Sequence, residues 1–472
     1  MILLNMSSAY AGQDKLTIAV GKDAYITSGP RANLGRYPLN SNIFESLTSF
    51  DQQFGLQPGL AVSWGYKGNN TWRFYLRKGV KFHDGSPLNA AAVRASLEQQ
   101  AENGTSLCDF ASIKDASEDS IDIATPEENL ILPYILSHPY MGIVKPATKP
   151  VGTGPFRFSR YAKEQYLEVA RNDAYWGEQA KSAGIIFRFL PDNASRVMAF
   201  LAGEMDILAD VPWEILPQLQ ADPSCRLHTS PVGTYTGLML SGKGATGDKS
   251  VRQAIAMGIE RNAIIKALWH GFGEARQTLL APSFLGEYAG LIPDIPYQPE
   301  KAKALLRGKK VSLTLVSGFP NADVHGPLPE ILQAQLKAIG LDVQIQKISD
   351  SGLYHSLMKA HKGDLWLEKG NLNSADLTFL PHLLFHPQGY YPKHLHTVAG
   401  TEAFCEFIDR ARKSQDMEEL RKSTALALRE IIHEELFFIP IAELPFLLAA
   451  DMEVPELYPT LLTTRWDHFR KK

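Results

Sequence analysis

The 472-residue chain contains only three cysteines, Cys108, Cys225 and Cys405. They form no CxxC pair and show no spacing typical of a zinc ribbon. A chain of this length can bury an adequate core without covalent cross-links, so we expect no disulfide. The scarcity of cysteine excludes a disulfide-rich scaffold.

An excess of basic residues is also absent. The chain carries 48 Lys and Arg against 51 Asp and Glu, for a net charge of −3, and no basic stripe is visible. This balance excludes the usual electrostatic footprint of a nucleic-acid-binding protein. No segment after the N-terminus approaches the roughly 20 apolar residues that a membrane helix needs. The length predicts two or three folded domains.

The first residues, MILLNMSSAYAGQDK, resemble the end of a signal peptide. Ala9 and Ala11 place small side chains at the −3 and −1 positions of a cleavage site before Gly12. A basic n-region is missing and the apolar run is short. We therefore interpret residues 1–11 as the remnant of a signal peptide that begins upstream, which predicts a periplasmic or otherwise exported protein. The alternative is a disordered apolar N-terminus.

Residue patterns predict a mixed α/β protein. Residues 15–20 (KLTIAV) and the alternating residues 70–82 are strand candidates, and residues 88–102 favour a helix. Residues 249–267 have the pattern of one amphipathic helix. Residues 309–348 read as strand, helix and strand, which is a β-α-β unit typical of α/β proteins.

The segment FHPQGYYPKHLH, residues 385–396, collects three histidines and two tyrosines. Its prolines and glycine predict a loop. Imidazole binds nickel, cobalt, zinc and copper, so His386, His394 and His396 are candidate metal ligands. In an extended loop His394 and His396 would point the same way. The alternative is a solvated, histidine-rich surface loop.

Catalytic motifs are incomplete or missing. His433 and Glu434 begin an HExxH-like string, but Phe437 stands where the second histidine of a zinc protease is required. No GxSxG sequence occurs. We expect no enzymatic activity, and an exported hydrolase is only a third hypothesis.

Several blocks carry a family resemblance. Residues 58–93, from PGLAVSW to NAAAV, resemble the family-5 extracytoplasmic solute-binding proteins of ABC importers, the peptide- and nickel-binding class. Further blocks follow in the family's order: PVGTGPFRF (150–158), RNDAYWG (171–177), VRQAIAMGIERNAII (251–265), LAPS (280–283) and YQPEKAKALL (297–306). The resemblance extends from about residue 15 to the C-terminus.

The resemblance implies a two-lobed periplasmic-binding-protein fold of type II, in its large family-5 form, with the ligand in the cleft between the lobes. Lobe I would comprise residues 12–241 and 442–472, with an inserted subdomain at about 42–150. Lobe II would comprise residues 242–441. Trp72, Phe74 and Leu76 share one face of a predicted strand and should be buried in the core.

Comparison within the family bears on the cargo. Its peptide-binding members hold the peptide amine with a carboxylate, and the matching position here is Asn371. A neutral amide cannot form that ion pair, which argues against a peptide. Nickel-binding members receive the metal as a chelate and add a histidine from the loop that corresponds to residues 385–396. The resemblance therefore favours a metal chelate.

The expected site also includes groups for the chelator. Arg31 and Arg36 lie in a loop that borders the cleft in the family, and arginine binds carboxylates bidentately. Tyr37, Asn371, Tyr390 and Tyr391 complete the candidate ligand-binding residues.

We predict the substrate-binding component of an ABC importer, with no resident cofactor and no catalytic residue. The predicted cargo is a transition metal, nickel first, bound to histidine or to an opine- or nicotianamine-like metallophore. The alternative cargo is a dipeptide or oligopeptide. The expected partners are an ABC permease with its ATPase and the small-molecule chelate, and we expect a monomer that binds no nucleic acid.

Overall fold

The computed structural model describes residues 15–21, 40–51, 55–103, 106–145, 149–209, 211–318, 326–370, 375–455, 457 and 464–470. These residues fall into two compact units. Unit 1 holds the described residues up to Pro231, Ala375, and those from Phe446 onward, and unit 2 holds the others. The chain passes between the units within the long strands β12 and β17. The lobe boundaries inferred from the sequence stay a prediction.

The described strands are β1 (Lys15–Val20), β2 (Thr48–Phe50), β3 (Leu56–Pro58), β4 (Ala61–Tyr66), β5 (Thr71–Leu76), β6 (Ser112–Ser117), β7 (Ser120–Ala124), β8 (Phe156–Ala162), β9 (Tyr166–Arg171), β10 (Gly184–Phe189), β11 (Ile207–Ala209), β12 (Arg226–Leu240), β13 (Glu274–Ala275), β14 (Val311–Gly318), β15 (Leu341–Ile348), β16 (Leu365–Gly370) and β17 (Phe438–Ala450).

The described α-helices are α1 (Asn40–Ile43), α2 (Ala90–Glu102), α3 (Leu132–Ile135), α4 (Asn193–Leu201), α5 (Leu216–Ala221), α6 (Lys249–Gly258), α7 (Arg261–Trp269), α8 (Pro282–Leu285), α9 (Pro299–Leu306), α10 (Leu328–Ala338), α11 (Ser351–Lys359), α12 (Phe379–Phe385), α13 (Tyr390–Leu395), α14 (Glu402–Arg412) and α15 (Met417–Arg429). None of the helices in the described ranges is both long and apolar enough to cross a membrane.

Unit 1 is built on a mixed sheet in the order β8-β9-β10-β1-β11, in which β1 runs parallel to β10 and β11. The predicted strand KLTIAV is confirmed as β1. The hydrophobic core of unit 1 includes Trp466, whose ring contacts the ring of Phe187 edge-on with centroids 5.9 Å apart. Asn42 links helix α1 to the C-terminal segment. Its side-chain amide donates to the Thr464 carbonyl at 2.7 Å, and its side-chain oxygen accepts from the Trp466 backbone N–H at 3.0 Å.

A second sheet in unit 1 has the order β4-β5-β7-β6, and helix α2 packs against it. Trp72, Phe74 and Leu76 of β5 are buried, as their alternation predicts. The predicted helix at 88–102 is confirmed from Ala90 onward. Asn89 caps its N-terminus by accepting from the Ala92 backbone N–H.

Unit 2 contains the predicted β-α-β unit. Strand β14 runs parallel to β15, with α10 between them in the chain, and is also parallel to β16. Strand β16 is antiparallel to β12. Strand β14 (VSLTLVSG) is buried over its last four residues, and β16 (LWLEKG) is buried over its first four, so the two neighbouring strands share a buried central region.

The single amphipathic helix predicted for residues 249–267 is wrong, since the segment forms two helices. Helix α6 ends at Gly258, and Ile259 takes an extended conformation with φ −96° and ψ 115°. The Glu260 side chain then accepts from the Ala263 backbone N–H and begins α7. Both helices bury apolar residues, and the apolar residues recur with nearly the same period on either side of the break.

Candidate ligand-binding site

Helix α13 replaces the loop predicted for the histidine-rich segment. Residues Tyr390–Leu395 are helical, and Phe385 already belongs to the end of α12. Pro392 lies in the first turn of α13, where its missing N–H removes no intrahelical hydrogen bond. Gly389 precedes the helix because a Cβ atom there would lie 2.0 Å from the His382 carbonyl oxygen. The proline and glycine therefore set the start of a helix.

The outer side of α13 presents Tyr390 and His394, which are four residues apart. Both are exposed, and their ring centroids lie 5.1 Å apart with a 38° angle between the planes. This spacing is one helical turn, which places the two rings on one face. An exposed phenol and an exposed imidazole thus form a small aromatic surface with free access for a ligand in unit 2.

The predicted histidines do not gather in one place. His396 ends α13 in the left-handed conformation with φ 56°, so it does not share the direction of His394 as an extended loop would require. His386 stacks on His382 with centroids 4.5 Å apart. Within the described ranges, no group of three or more His, Cys, Asp or Glu side chains is arranged to hold a metal ion.

His386 is held in its own local network. Its Nε2 lies 3.4 Å from Asp409 Oδ1, and its Nδ1 accepts from the Gln388 backbone N–H at 3.2 Å. Burial lowers the pKa of His386 and lowers that of His382 to about 2, with the positive charge of Arg412 acting in the same direction. Both imidazoles are therefore neutral near pH 7.

The inner side of α13 is anchored on a buried carboxylate. Tyr391 donates from its hydroxyl to Glu368 Oε2 at 3.3 Å, and Tyr354 of α11 donates to Oε1 at 3.0 Å. Glu368 lies on β16 with 3% of its surface exposed. Burial raises the pKa of Glu368 to about 7, although both tyrosine hydrogen bonds oppose the rise. One carboxylate therefore ties α11 and α13 to the central strand.

Sequence reasoning missed Glu368. The signal that could have found it is the single acidic residue inside the apolar strand LWLEKG. Tyr391 was predicted to contact the ligand, but its hydroxyl is committed to Glu368 inside unit 2. Arg31, Arg36, Tyr37 and Asn371 lie outside the described residues, and their roles stay predictions.

Comparison with known proteins decides the family. The family model of the bacterial extracellular solute-binding proteins, family 5 Middle, matches residues 55–392. The chain belongs to this family. Family-5 solute-binding proteins work with the permease and ATPase components of ABC importers. This family-5 protein is accordingly a substrate-binding component of an ABC importer and not an enzyme.

Individual relatives differ in what they bind. The nickel-binding periplasmic protein of Escherichia coli K12 is 28% identical over 356 residues, covering 66% of this chain and 67% of its own. The glutathione-binding protein GsiB of E. coli K12 is 26% identical over 480 residues, covering 93% and 90%. NikA from Brucella suis in complex with Fe(III)-EDTA superposes with a TM-score of 0.84 at 20% identity, covering 96% and 99%. The last comparison confirms the two-domain α/β periplasmic-binding-protein fold.

Proposed function

We propose that this family-5 solute-binding protein captures a chelated transition metal, nickel first, and delivers it to its permease. The nickel-binding relative from E. coli supports the metal, and the NikA complex with Fe(III)-EDTA shows that a protein of this fold can hold a metal inside an organic chelate. Since the nickel-binding relative is named as periplasmic, we also propose that the protein acts in the periplasm.

The observation that carries the proposal is the exposed pair of Tyr390 and His394 on α13. A chelator supplies most of the metal's donor atoms, so the protein needs to add only one imidazole rather than a full coordination sphere. This agrees with the lack of a three-residue metal group among the described residues. Imidazole suits nickel, and the Tyr390 ring offers a flat surface for the organic part of the complex.

The chelator we propose carries carboxylates, as histidine and opine- or nicotianamine-like metallophores do. Arg31 and Arg36 are the predicted partners for these groups, because a guanidinium binds a carboxylate through two parallel hydrogen bonds. Tyr37 and Asn371 are the predicted neutral contacts.

A peptide is the second candidate cargo. GsiB is named for glutathione, which is a small peptide, and it matches a larger share of this chain than the nickel-binding relative does. Asn371 argues against this cargo, because an amide provides no counter-charge for a peptide ammonium group.

Titration calorimetry on the full chain tests the proposal. The protein is titrated with nickel plus L-histidine, with nickel alone, with glutathione and with a dipeptide pool. We expect binding only of the nickel–histidine complex. Heat from glutathione or the peptide pool, without heat from the nickel complex, would establish the second candidate instead.

Variants then test the surface on α13. We expect His394→Asn to lower the affinity of the protein for the nickel–histidine complex at least tenfold, and Tyr390→Ala to lower it several-fold. His270→Asn is the matched control, because His270 is an exposed histidine at the end of α7 in the same unit. Equal affinities for His394→Asn and the control would remove α13 from the site.

A further inference from the structure

Unit 1 contains a cavity that the proposed cargo site on α13 does not use. Its volume is about 410 Å³, within the ~300–1,000 Å³ typical of small-molecule sites. The wall comes from the segment around α1, β2 and β3, from the turn at 137–139, and from Tyr175, Trp176 and Arg465. All of these residues belong to unit 1.

A carboxylate stands in the wall of this cavity. Glu45 Oε1 accepts from the Tyr175 hydroxyl at 2.7 Å, and Oε2 accepts from Thr153 Oγ1 at 2.7 Å and from the Trp176 indole N–H at 2.9 Å. A carboxylate offers about four acceptor positions, so these three donors leave capacity on Oε1. Burial raises the pKa of Glu45, because it removes the carboxylate from water, although the three hydrogen bonds and the positive charge of Arg465 oppose the rise.

The charges around the cavity are predominantly negative. The charged side chains of the wall are Glu45, Asp51 and Arg465. The Arg465 guanidinium already makes two hydrogen bonds to Asp467, at 2.9 and 2.6 Å. The two wall carboxylates exceed the one wall guanidinium, and this surplus of negative charge favours a cationic ligand over an anion.

Aromatic rings form another part of the wall. Phe44, Phe50, Tyr175 and Trp176 line the cavity, and the last two have ring centroids 5.3 Å apart. Ring faces attract ammonium groups through their quadrupoles, most strongly where water is excluded. Trp176 already holds the Arg77 guanidinium 4.2 Å from its ring centroid, so one face of this indole is occupied by a cation of the chain itself.

We propose that unit 1 binds a small organic ammonium ion in this cavity. The ammonium group is directed at Glu45 and Asp51, and the carbon chain lies against the aromatic rings. This ligand is distinct from the metal chelate proposed for α13, and the site does not depend on that assignment.

The probes for the test are putrescine and 1,4-butanediol, which have the same carbon chain but differ in charge. Calorimetry on the full chain should show saturable binding of putrescine and none of butanediol. We expect Glu45→Gln and Asp51→Asn each to lower the affinity for putrescine at least tenfold, because each substitution removes one negative charge while keeping an acceptor oxygen. Asp119→Asn is the control, since Asp119 pairs with Lys78 and does not line the cavity.

Each outcome is decisive. Circular dichroism verifies folding, and if Glu45→Gln does not fold, Asp51→Asn decides alone. Absence of putrescine binding, equal binding of butanediol, or an unchanged affinity in a folded cavity variant would overturn the proposal. The His394→Asn variant should bind putrescine normally. This separates the cavity from the chelate site, because either one can fail while the other holds.

Discussion

Tyr391 and Glu368 are joined by a hydrogen bond of 3.3 Å that fixes helix α13 to strand β16 in unit 2. Tyr391 follows Tyr390 directly in the chain, so one residue anchors the helix while its neighbour faces outward. The inner contact therefore determines how the Tyr390–His394 surface is presented.

Removing the Tyr391 hydroxyl should loosen this anchor. We expect Tyr391→Phe to lower the free energy of unfolding by about 1 kcal/mol, the usual contribution of one buried hydrogen bond. Chemical denaturation measures the change. Tyr297→Phe serves as the control because Tyr297 is 48% exposed, and its effect should be close to zero. Equal effects of the two substitutions would contradict the anchoring role.

Glu368 should make the protein less stable as the pH rises. Its pKa rises from an ordinary 4.5 to about 7 on folding, so the folded state holds a proton that the unfolded state releases between these values. The stability contribution is complete below pH 4.5 and is lost as the pH passes 7, a difference of about 3 kcal/mol. Glu368→Gln should remove this dependence. Denaturation at a series of pH values would then show a free energy of unfolding that changes less between pH 4.5 and 7 in the variant than in the wild type.

His138 should make the protein less stable as the pH falls, which is the opposite of the effect of Glu368. It is 1% exposed, its Nδ1 accepts from the Tyr140 backbone N–H at 3.0 Å, and burial lowers its pKa from 6.5 to about 3. Below pH 6.5 the imidazole of His138 is therefore protonated in the unfolded state, whereas in the folded state it stays neutral down to about pH 3.

The expected result is a loss of stability as the pH falls from 6.5 toward 3, by several kcal/mol in total. His138→Asn keeps an acceptor for the Tyr140 N–H and carries no titrating group, so its stability should fall less over this range. Parallel wild-type and variant curves would show that His138 does not titrate differently on folding.

Gly233 should tolerate no side chain. A Cβ atom there would lie 1.7 Å from the Leu444 carbonyl oxygen, which belongs to the neighbouring strand β17. We expect Gly233→Ala to lower the free energy of unfolding by about 3 kcal/mol, because the backbone must move to relieve the clash. Gly290→Ala is the matched control in unit 2, since no atom lies within 4 Å of its Cβ position. Thermal denaturation of both variants should separate them clearly.

Local patterns predicted much of the fold. The alternation of Trp72, Phe74 and Leu76 predicted a half-buried strand, and the apolar run KLTIAV predicted β1. Periodicity alone does not reveal the break after Gly258, because both helices keep a similar apolar period on either side of two extended residues, Ile259 and Glu260. Proline and glycine predict a loop at residues 385–396, but both are also compatible with the start of a helix, and α13 begins there instead.

By itself, the sequence determined the α/β class and membership of the solute-binding family, because both depend on residue order along the chain. Only the tertiary structure decided which polar residues meet. Tyr354, Glu368 and Tyr391 lie on three separate elements, and Glu45, Thr153 and Trp176 lie in three different connecting segments. No spacing in the sequence links them, since hydrogen bonds between distant residues depend on how strands and helices pack. The structure also assigns His386 and His394 to different helices, since His386 caps the C-terminus of α12 and His394 lies within α13.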